Sequence, residues 1–144
     1  MSIIVTRDLN KPMGHVLQIR NHTVAVDGTV EEGGNDTGPS AHDLYDAALA
    51  TCKALTMVWY ANRKGIALRE VRIESERDAS DERRGVYRLA TVLHLGGDLT
   101  DPQREELLAV ARKCPVHKLM TSVTTEISTS LAAREPGPGS LIEP

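Results

Sequence analysis

The chain has 144 residues and a formal net charge of −3. This length suits one ordinary domain with a real hydrophobic core. The core must be aliphatic, because the chain has no Phe, one Trp and three Tyr. The acidic balance argues against a nucleic-acid or membrane-surface protein, since such proteins usually carry a basic face.

Neither a targeting signal nor a membrane span is evident in the sequence. The opening "MSIIVTRDLNKP" lacks the basic and long apolar regions of a signal peptide, and no run of about 18 apolar residues occurs. We therefore expect a soluble, cytoplasmic protein. In that compartment two cysteines are more often reactive, metal-binding or buried thiols than a permanent disulfide.

Three short strands and a long helix are predicted in the first half of the chain. The strands are "SIIVTR", "GHVLQIR" and "HTVAVDG", and the Gly-rich connector "TVEEGGNDTGPS" follows them. Ser40 and Asp43 then form an S-x-x-D capping box, which predicts the start of the helix. No Pro or Gly interrupts the segment as far as Lys64, and Gly65 is expected to end it.

This helix is apolar on almost every side. One face carries Leu44, Ala48, Cys52, Leu55 and Trp59, and only a narrow stripe with Asp46, Lys53 and Tyr60 is expected to face water. A helix of this kind is typical of a buried, central position. Because a single small sheet covers only one side of it, we infer a dimer.

The second half of the chain alternates strands and helices. Residues 68–78 and 85–95 read as two alternating strands joined by a charged turn. Thr100 and Gln103 cap a second helix that runs to about Lys113. Pro115 suits the first position of a new short turn, with Cys114 as its N-cap.

The sequence predicts one further strand, "SVTTEISTSL", before the chain ends. Residues 1–133 are therefore expected to form a single α+β domain. Residues 134–144 are rich in Pro and Gly and are expected to be a disordered tail.

The two cysteines differ in what their local sequence indicates. Cys52 alone is best interpreted as packing, because its helical neighbours include no base or cation. Cys114 at a helix N-terminus, near Lys113 and His117, has surroundings that favour a thiolate, although an ordinary cysteine at a chain corner fits equally well. A metal site using Cys114, His117 and either Cys52 or His22 is a weaker alternative, because a closed structural site needs four ligands.

Together these features resemble the OsmC/Ohr family of osmotically induced and organic-hydroperoxide-resistance proteins. The resemblance rests on the Gly-Pro-Ser connector, the helix "AHDLYDAALATCKALTM" and the distant "CPVHKLM", and it extends from about Val16 to Leu131. The phrases "GGNDTGPS" and "NRKGIAL" indicate a less characterised branch. The family implies the order β-β-β-α-β-β-α-β and an intertwined homodimer with active sites between the subunits.

The resemblance also implies a reaction and the residues that perform it. Cys52 would be the peroxidatic cysteine, forming a sulfenic acid with an organic hydroperoxide, and Cys114 would resolve it as a disulfide. A dithiol, such as the dihydrolipoyl groups used by better-known members, would restore both thiols. No metal, flavin or haem is implied.

The supporting ion pair of the family departs from its usual pattern in this chain. Better-known members place an Arg and a Glu near the thiolate, whereas this chain has His42 and Asp43 at the Glu position. Asp43 lies about two and a half helical turns from Cys52, so direct contact is not expected and a capping role fits as well. Lys11 is the nearest substitute for the Arg, and His117 is a further candidate cation.

We therefore expect a thiol-dependent hydroperoxide reductase that takes part in oxidative or osmotic stress defence. Two alternatives remain open, namely a thiol redox sensor and a non-enzymatic protein that binds a small molecule in the apolar interface pocket. The sequence leaves the substrate, the reductant and the cation near Cys52 undetermined.

Overall fold

A computed structural model describes residues 2–133 and shows a mixed α+β fold. The elements are β1 (Ile3–Arg7), β2 (His15–Ile19), β3 (His22–Val26), α1 (Ala41–Lys64), β4 (Leu68–Asp78), β5 (Arg88–Gly97), α2 (Asp101–Arg112) and α3 (Pro115–Thr121). A short 3₁₀ turn, Glu82–Arg84, connects β4 to β5. The α+β class and the order of the elements through α2 are confirmed.

The first three strands form an antiparallel sheet in the order β1-β2-β3. Ile3 pairs with Ile19, and His15 pairs with Val26 across the two ladders. All five side chains of β1 are exposed. The contacts that hold α1 come mainly from β4, α2 and α3, so this sheet presents uncovered apolar side chains in the single chain.

Helix α1 begins and ends as its sequence predicts. The Ser40 side chain accepts a hydrogen bond from the Asp43 backbone, and the Asp43 carboxylate accepts one from the Ser40 N–H. Gly65 ends the helix at φ 69°, a left-handed conformation that glycine adopts without steric cost.

The buried face of α1 contains a lysine. Leu49, Lys53, Met57 and Ala61 are its buried residues, and they lie one turn apart. Our expectation that Lys53 faces water was wrong, because its spacing from Leu49 and Met57 directs it toward the inside. Leu55 and Trp59, in contrast, are 66% and 60% exposed in the single chain.

The core lies where α1 and α2 pack on the two-stranded sheet β4-β5. Met57 and Ala61 contact Leu107 and Ala111 of α2, and all four are almost fully buried. The sheet contributes Val71, Ile73, Leu93 and Leu95, which alternate as a period of two predicts, and Leu68, which lies beyond an irregularity in the ladder. This aliphatic cluster supplies most of the hydrophobic stabilisation of the described chain.

The C-terminal part differs from the prediction in one element. The short turn after Cys114 is a helix, α3, with Cys114 as its N-cap as predicted. The predicted strand "SVTTEISTSL" was wrong for the single chain, because residues 124–132 adopt no regular secondary structure. Ile127 and Leu131 are 82% and 98% exposed, and a strand needs a neighbouring strand to satisfy its backbone groups.

Residues 134–144, the predicted tail, lie outside the described residues. Among the helices within residues 2–133, none has both the length and the apolar character needed to cross a membrane.

Shortening a core side chain should destabilise the protein far more than the same change at the surface. We expect Leu107→Ala to lower the free energy of unfolding by about 2–5 kcal/mol, because it leaves a cavity between α1 and α2. Leu9→Ala is the matched control, since Leu9 is 85% exposed. Urea denaturation of both variants at one protein concentration measures the difference, and equal losses would contradict the position of the core.

Candidate active site around the two cysteines

The fold brings the two cysteines together from α1 and the start of α3. The backbone N–H of Val116 donates a hydrogen bond to Cys52 Sγ over 3.4 Å. The Cys52 side chain also lies close enough to Cys114 to affect its ionisation. Both cysteines are free thiols, and Cys52 is half-buried whereas Cys114 is fully buried. Two residues that are remote in sequence therefore share one site.

The surroundings of Cys114 favour its protonated form. Burial raises the pKa of the Cys114 thiol, because the charged thiolate loses hydration. The backbone N–H of His117 acts in the opposite direction, the nearby Cys52 raises the pKa further, and the charge of Lys53 lowers it. The net effect is a raised pKa for Cys114.

Lys53 lies at this candidate site, and the sequence interpretation missed it. Its side chain is 6% exposed, and Nζ donates a hydrogen bond of 2.8 Å to the carbonyl oxygen of Ala111. Nζ also lies 3.2 Å from His117 Nδ1 and 3.9 Å from Cys114 Sγ. The i, i+4 spacing of Leu49, Lys53 and Met57 was the sequence signal that could have placed Lys53 on the buried face.

Asp43 is part of a charged network at the start of α1. Its carboxylate accepts a hydrogen bond from Arg77 Nη2 over 2.7 Å, and Arg77 Nε donates to Asp46 over 2.6 Å. The Tyr87 hydroxyl also donates to Asp46, over 2.6 Å. The contacts of Asp43 within the described chain are thus with Ser40 and Arg77 rather than with Cys52.

The other predicted supporting residues lie in separate places. His42 Nε2 is 3.0 Å from the Glu82 carboxylate, at the surface. Lys11 Nζ lies 3.3 Å from the Thr37 hydroxyl and 4.0 Å from Asp8. Of the four supporting candidates, the structure brings only His117 into contact with the group around Cys114.

The metal alternative gains no support from this geometry. Within residues 2–133, no three His, Cys, Asp or Glu side chains are grouped as metal ligands would be. His22 begins β3 and pairs with Ile19, in the N-terminal sheet rather than beside Cys114.

Comparison with known proteins bears on the pair of cysteines and on the fold that holds them. A family model described as OsmC-like protein matches residues 33–128, which include both cysteines and are well over half of the chain. The chain belongs to the OsmC-like family. The resemblance seen in the sequence is therefore confirmed. None of the curated proteins compared with this OsmC-like chain matches it.

Several solved structures share the fold of this OsmC-like chain. An OsmC-like protein from Mycoplasma pneumoniae is 17% identical with a TM-score of 0.65, over 85% of this chain and 89% of that one. The organic hydroperoxide resistance protein OsmC from Legionella pneumophila is 21% identical with a TM-score of 0.59, over 85% and 90%. The organic hydroperoxide resistance protein OhrB of Bacillus subtilis is 18% identical with a TM-score of 0.57, over 85% and 92%. At these identities the likeness shows the fold.

The ion pair at the start of α1 should make stability depend on pH. Hydrogen bonds from the Ser40 backbone and from Arg77 hold the pKa of Asp43 below its ordinary value. Because the folded-state pKa of Asp43 is the lower one, its carboxylate stabilises the folded protein at any pH above the unfolded-state pKa of about 3.9. This contribution to the free energy of unfolding is lost as the pH falls through the folded-state pKa. We expect Asp43→Asn to be less stable than the wild type at pH 7, with the difference shrinking below about pH 4.

Thermal denaturation of Asp43→Asn and wild type between pH 7 and pH 2 tests this expectation. Asp98→Asn, at an exposed carboxylate, is the control. A stability difference for Asp43→Asn that stays constant over the whole pH range would contradict the role given to its carboxylate.

Proposed function

We propose that this OsmC-like protein is a thiol peroxidase that reduces organic hydroperoxides through Cys52 and Cys114. The observation that carries the proposal is the convergence of the two thiols at the junction of α1 and α3, with a backbone N–H donated to Cys52 Sγ. Structures of the same fold include organic hydroperoxide resistance proteins, which supports the same substrate class.

Cys52 is the better candidate for the first attack. It is half-buried, whereas Cys114 is fully buried and has a raised pKa that favours the protonated thiol. The Val116 N–H on Cys52 Sγ stabilises negative charge on that sulfur. The Cys52 thiolate attacks one peroxide oxygen, an S–O bond forms and the O–O bond breaks. The departing alkoxide takes up a proton and leaves as an alcohol, and Cys52 becomes a sulfenic acid.

Cys114 then resolves the sulfenic acid. Its sulfur attacks Cys52 Sγ, an S–S bond forms, and the S–O bond of the sulfenic acid breaks. The proton of the Cys114 thiol and the departing hydroxide form water. A dithiol reductant afterwards attacks the disulfide, and its own oxidation to a disulfide returns both cysteines to thiols. This cycle uses side chains and backbone alone.

A homodimer is part of the proposal. The outer side of α1 exposes Leu55, Val58 and Trp59, and β1 exposes Ile3, Ile4 and Val5. The three α1 residues lie three and four positions apart on one side of the helix, and an exposed apolar patch of this kind marks an interaction site. A second copy covering α1 next to Cys52 would also form the wall of an apolar substrate pocket. A cytoplasmic location, where dithiol reductants keep thiols reduced, fits this cycle.

The chemistry is tested by adding cumene hydroperoxide in steps to wild type, Cys52→Ser and Cys114→Ser, followed by intact-mass analysis. We expect an intramolecular disulfide in wild type, with a mass loss of about 2 Da. Cys114→Ser should accumulate Cys52 oxidised to sulfenic and then sulfinic acid. Cys52→Ser should consume peroxide at the uncatalysed rate.

The rival functions give different results in the same experiment. A redox sensor would form the disulfide but turn over slowly with an excess of dithiol. A binding protein would keep both thiols free after peroxide treatment. Peroxide consumption by Cys52→Ser at the wild-type rate would contradict the assigned roles.

The dimer is tested by placing a charge on the exposed apolar face of α1. We expect Trp59→Glu to shift the protein toward monomer in sedimentation velocity, because the charge would be buried in the interface. Leu9→Glu, which also adds one charge at an exposed apolar residue, is the control. If wild type sediments as a monomer at tens of micromolar, the proposed dimer is wrong.

A further inference from the structure

We infer that Lys53 stabilises the negative charge that develops on Cys114 Sγ and thereby sets the rate of disulfide formation. The inference rests on the proposed function for its consequence in turnover. The interaction itself can be measured without any turnover.

The position of Lys53 is unusual for a lysine. Lysine side chains are almost never fully buried unless they are paired, yet Lys53 is only 6% exposed. An ammonium group has three N–H donors and no acceptor. Nζ has three neighbours to match them, namely the Ala111 carbonyl at 2.8 Å, His117 Nδ1 at 3.2 Å and Cys114 Sγ at 3.9 Å. Each of the three donors therefore has a neighbour within reach.

Cys114 is the only one of these three neighbours that can become an anion. The Ala111 carbonyl is neutral, and His117 Nδ1 must accept from Lys53, which places the hydrogen of a neutral His117 on Nε2. A buried cation without a counter-charge is costly, so the Lys53 position is most favourable when Cys114 loses its proton.

The ionisable groups near Cys114 Sγ come from the three helices that pack around it. Cys52 and Lys53 come from α1, and His117 comes from α3. Arg112 of α2 lines a pocket of about 240 Å³ together with Lys53 and His117. The part of this pocket formed by β5 consists of Leu89, Thr91 and Leu93, which do not ionise. Lys53 is thus the cation in direct contact with Cys114 Sγ among the described residues.

The resolving step is where this charge acts. As Cys114 Sγ attacks Cys52 Sγ, the Cys114 proton passes to the departing oxygen, and negative charge builds on the Cys114 sulfur before the S–S bond is complete. Burial disfavours a negative charge on this sulfur, and the positive charge of Lys53 acts in the opposite direction. The first step, at Cys52, relies on the Val116 N–H instead. Removing the Lys53 charge should therefore slow resolution and leave peroxide attack nearly unchanged.

The direct test is a pH titration of Cys114 by NMR in protein with ¹³Cβ-labelled cysteine. In the Cys52→Ser background a single cysteine signal remains, so the midpoint of its titration curve is the pKa of Cys114. We expect Lys53→Met to raise that midpoint by about one to three pH units, the effect of losing an opposite charge at this distance. Lys53→Arg keeps the positive charge, so its titration midpoint should stay nearer that of the Cys52→Ser parent.

Lys113→Met is the matched control. It removes the same charge from the residue next to Cys114 in sequence, but Lys113 is exposed. We expect its midpoint to equal that of the parent. Lys53→Gln, which keeps a donor for the Ala111 carbonyl without the charge, provides the same comparison if Lys53→Met does not fold. An unchanged midpoint in the uncharged variants would overturn the inference.

Single-turnover kinetics link the interaction to the reaction. The thiolate fraction falls tenfold for each unit by which the pKa rises, while intrinsic nucleophilicity grows with a Brønsted slope near 0.4–0.5, so disulfide formation should slow about threefold per unit. Sulfenic acid formation, followed in the Cys114→Ser background, should keep its rate.

The role of Lys53 and the proposed peroxidase function would be overturned by different results. A shifted Cys114 midpoint in a protein that does not react with peroxide would support the Lys53 contact and overturn the proposed function. Normal peroxide turnover with an unshifted midpoint would support the function and overturn the role of Lys53.

Discussion

The buried side chain of Lys53 joins the three helices at the site. It extends from α1 to the Ala111 carbonyl in the last turn of α2 and to His117 in α3. Cys114 lies between these two contacts as the N-cap of α3, and this placement brings the Val116 N–H onto Cys52 Sγ. The relative position of the two sulfurs thus depends on how α3 packs on α1, and Lys53 contacts residues of α2 and α3 beside Cys114. Replacing buried charged groups by apolar residues is often neutral or stabilising, so stability alone does not account for a lysine in this place.

In the single chain, polar groups find hydrogen-bond partners, whereas several large apolar side chains stay exposed. The capping boxes of α1 and α2 are complete and the buried Lys53 has its acceptors, whereas Trp59 and the apolar residues of β1 remain exposed. The segment after α3 shows the same imbalance, since Ile127 is exposed in a stretch with alternating strand character. These surfaces lie outside the core formed by α1, α2 and the β4-β5 sheet, so a partner can cover them without disturbing it.

Local rules were sufficient for most of the fold and for part of the site. The capping pairs at Ser40 and Thr100, the stop at Gly65 and the N-cap at Cys114 are encoded by adjacent residues, so the sequence predicted them. The meeting of Cys52 with Cys114 followed from the family resemblance alone, because it depends on how α3 packs on α1. Lys53 was missed because lysine usually faces water, and its three acceptors come from other elements. The final strand was wrong because strand formation requires a partner that the pattern does not reveal.

The charged groups lie at two places along α1, its first turns and its middle, and this separation clarifies which of them contact the thiols. Arg77 binds Asp43 and Asp46 at the start of the helix, and the negative charge that remains on this trio suits the positive end of the helix dipole. The charge of the Arg77 guanidinium is offset by the two carboxylates that it binds, and its hydrogen bonds go to them rather than to either thiol. Lys53 has no such carboxylate among its hydrogen-bond partners in the described chain, and it contacts Cys114 directly. In this OsmC-like protein the cation in contact with the buried thiol therefore comes from the residue next to Cys52, on the buried face of the same helix.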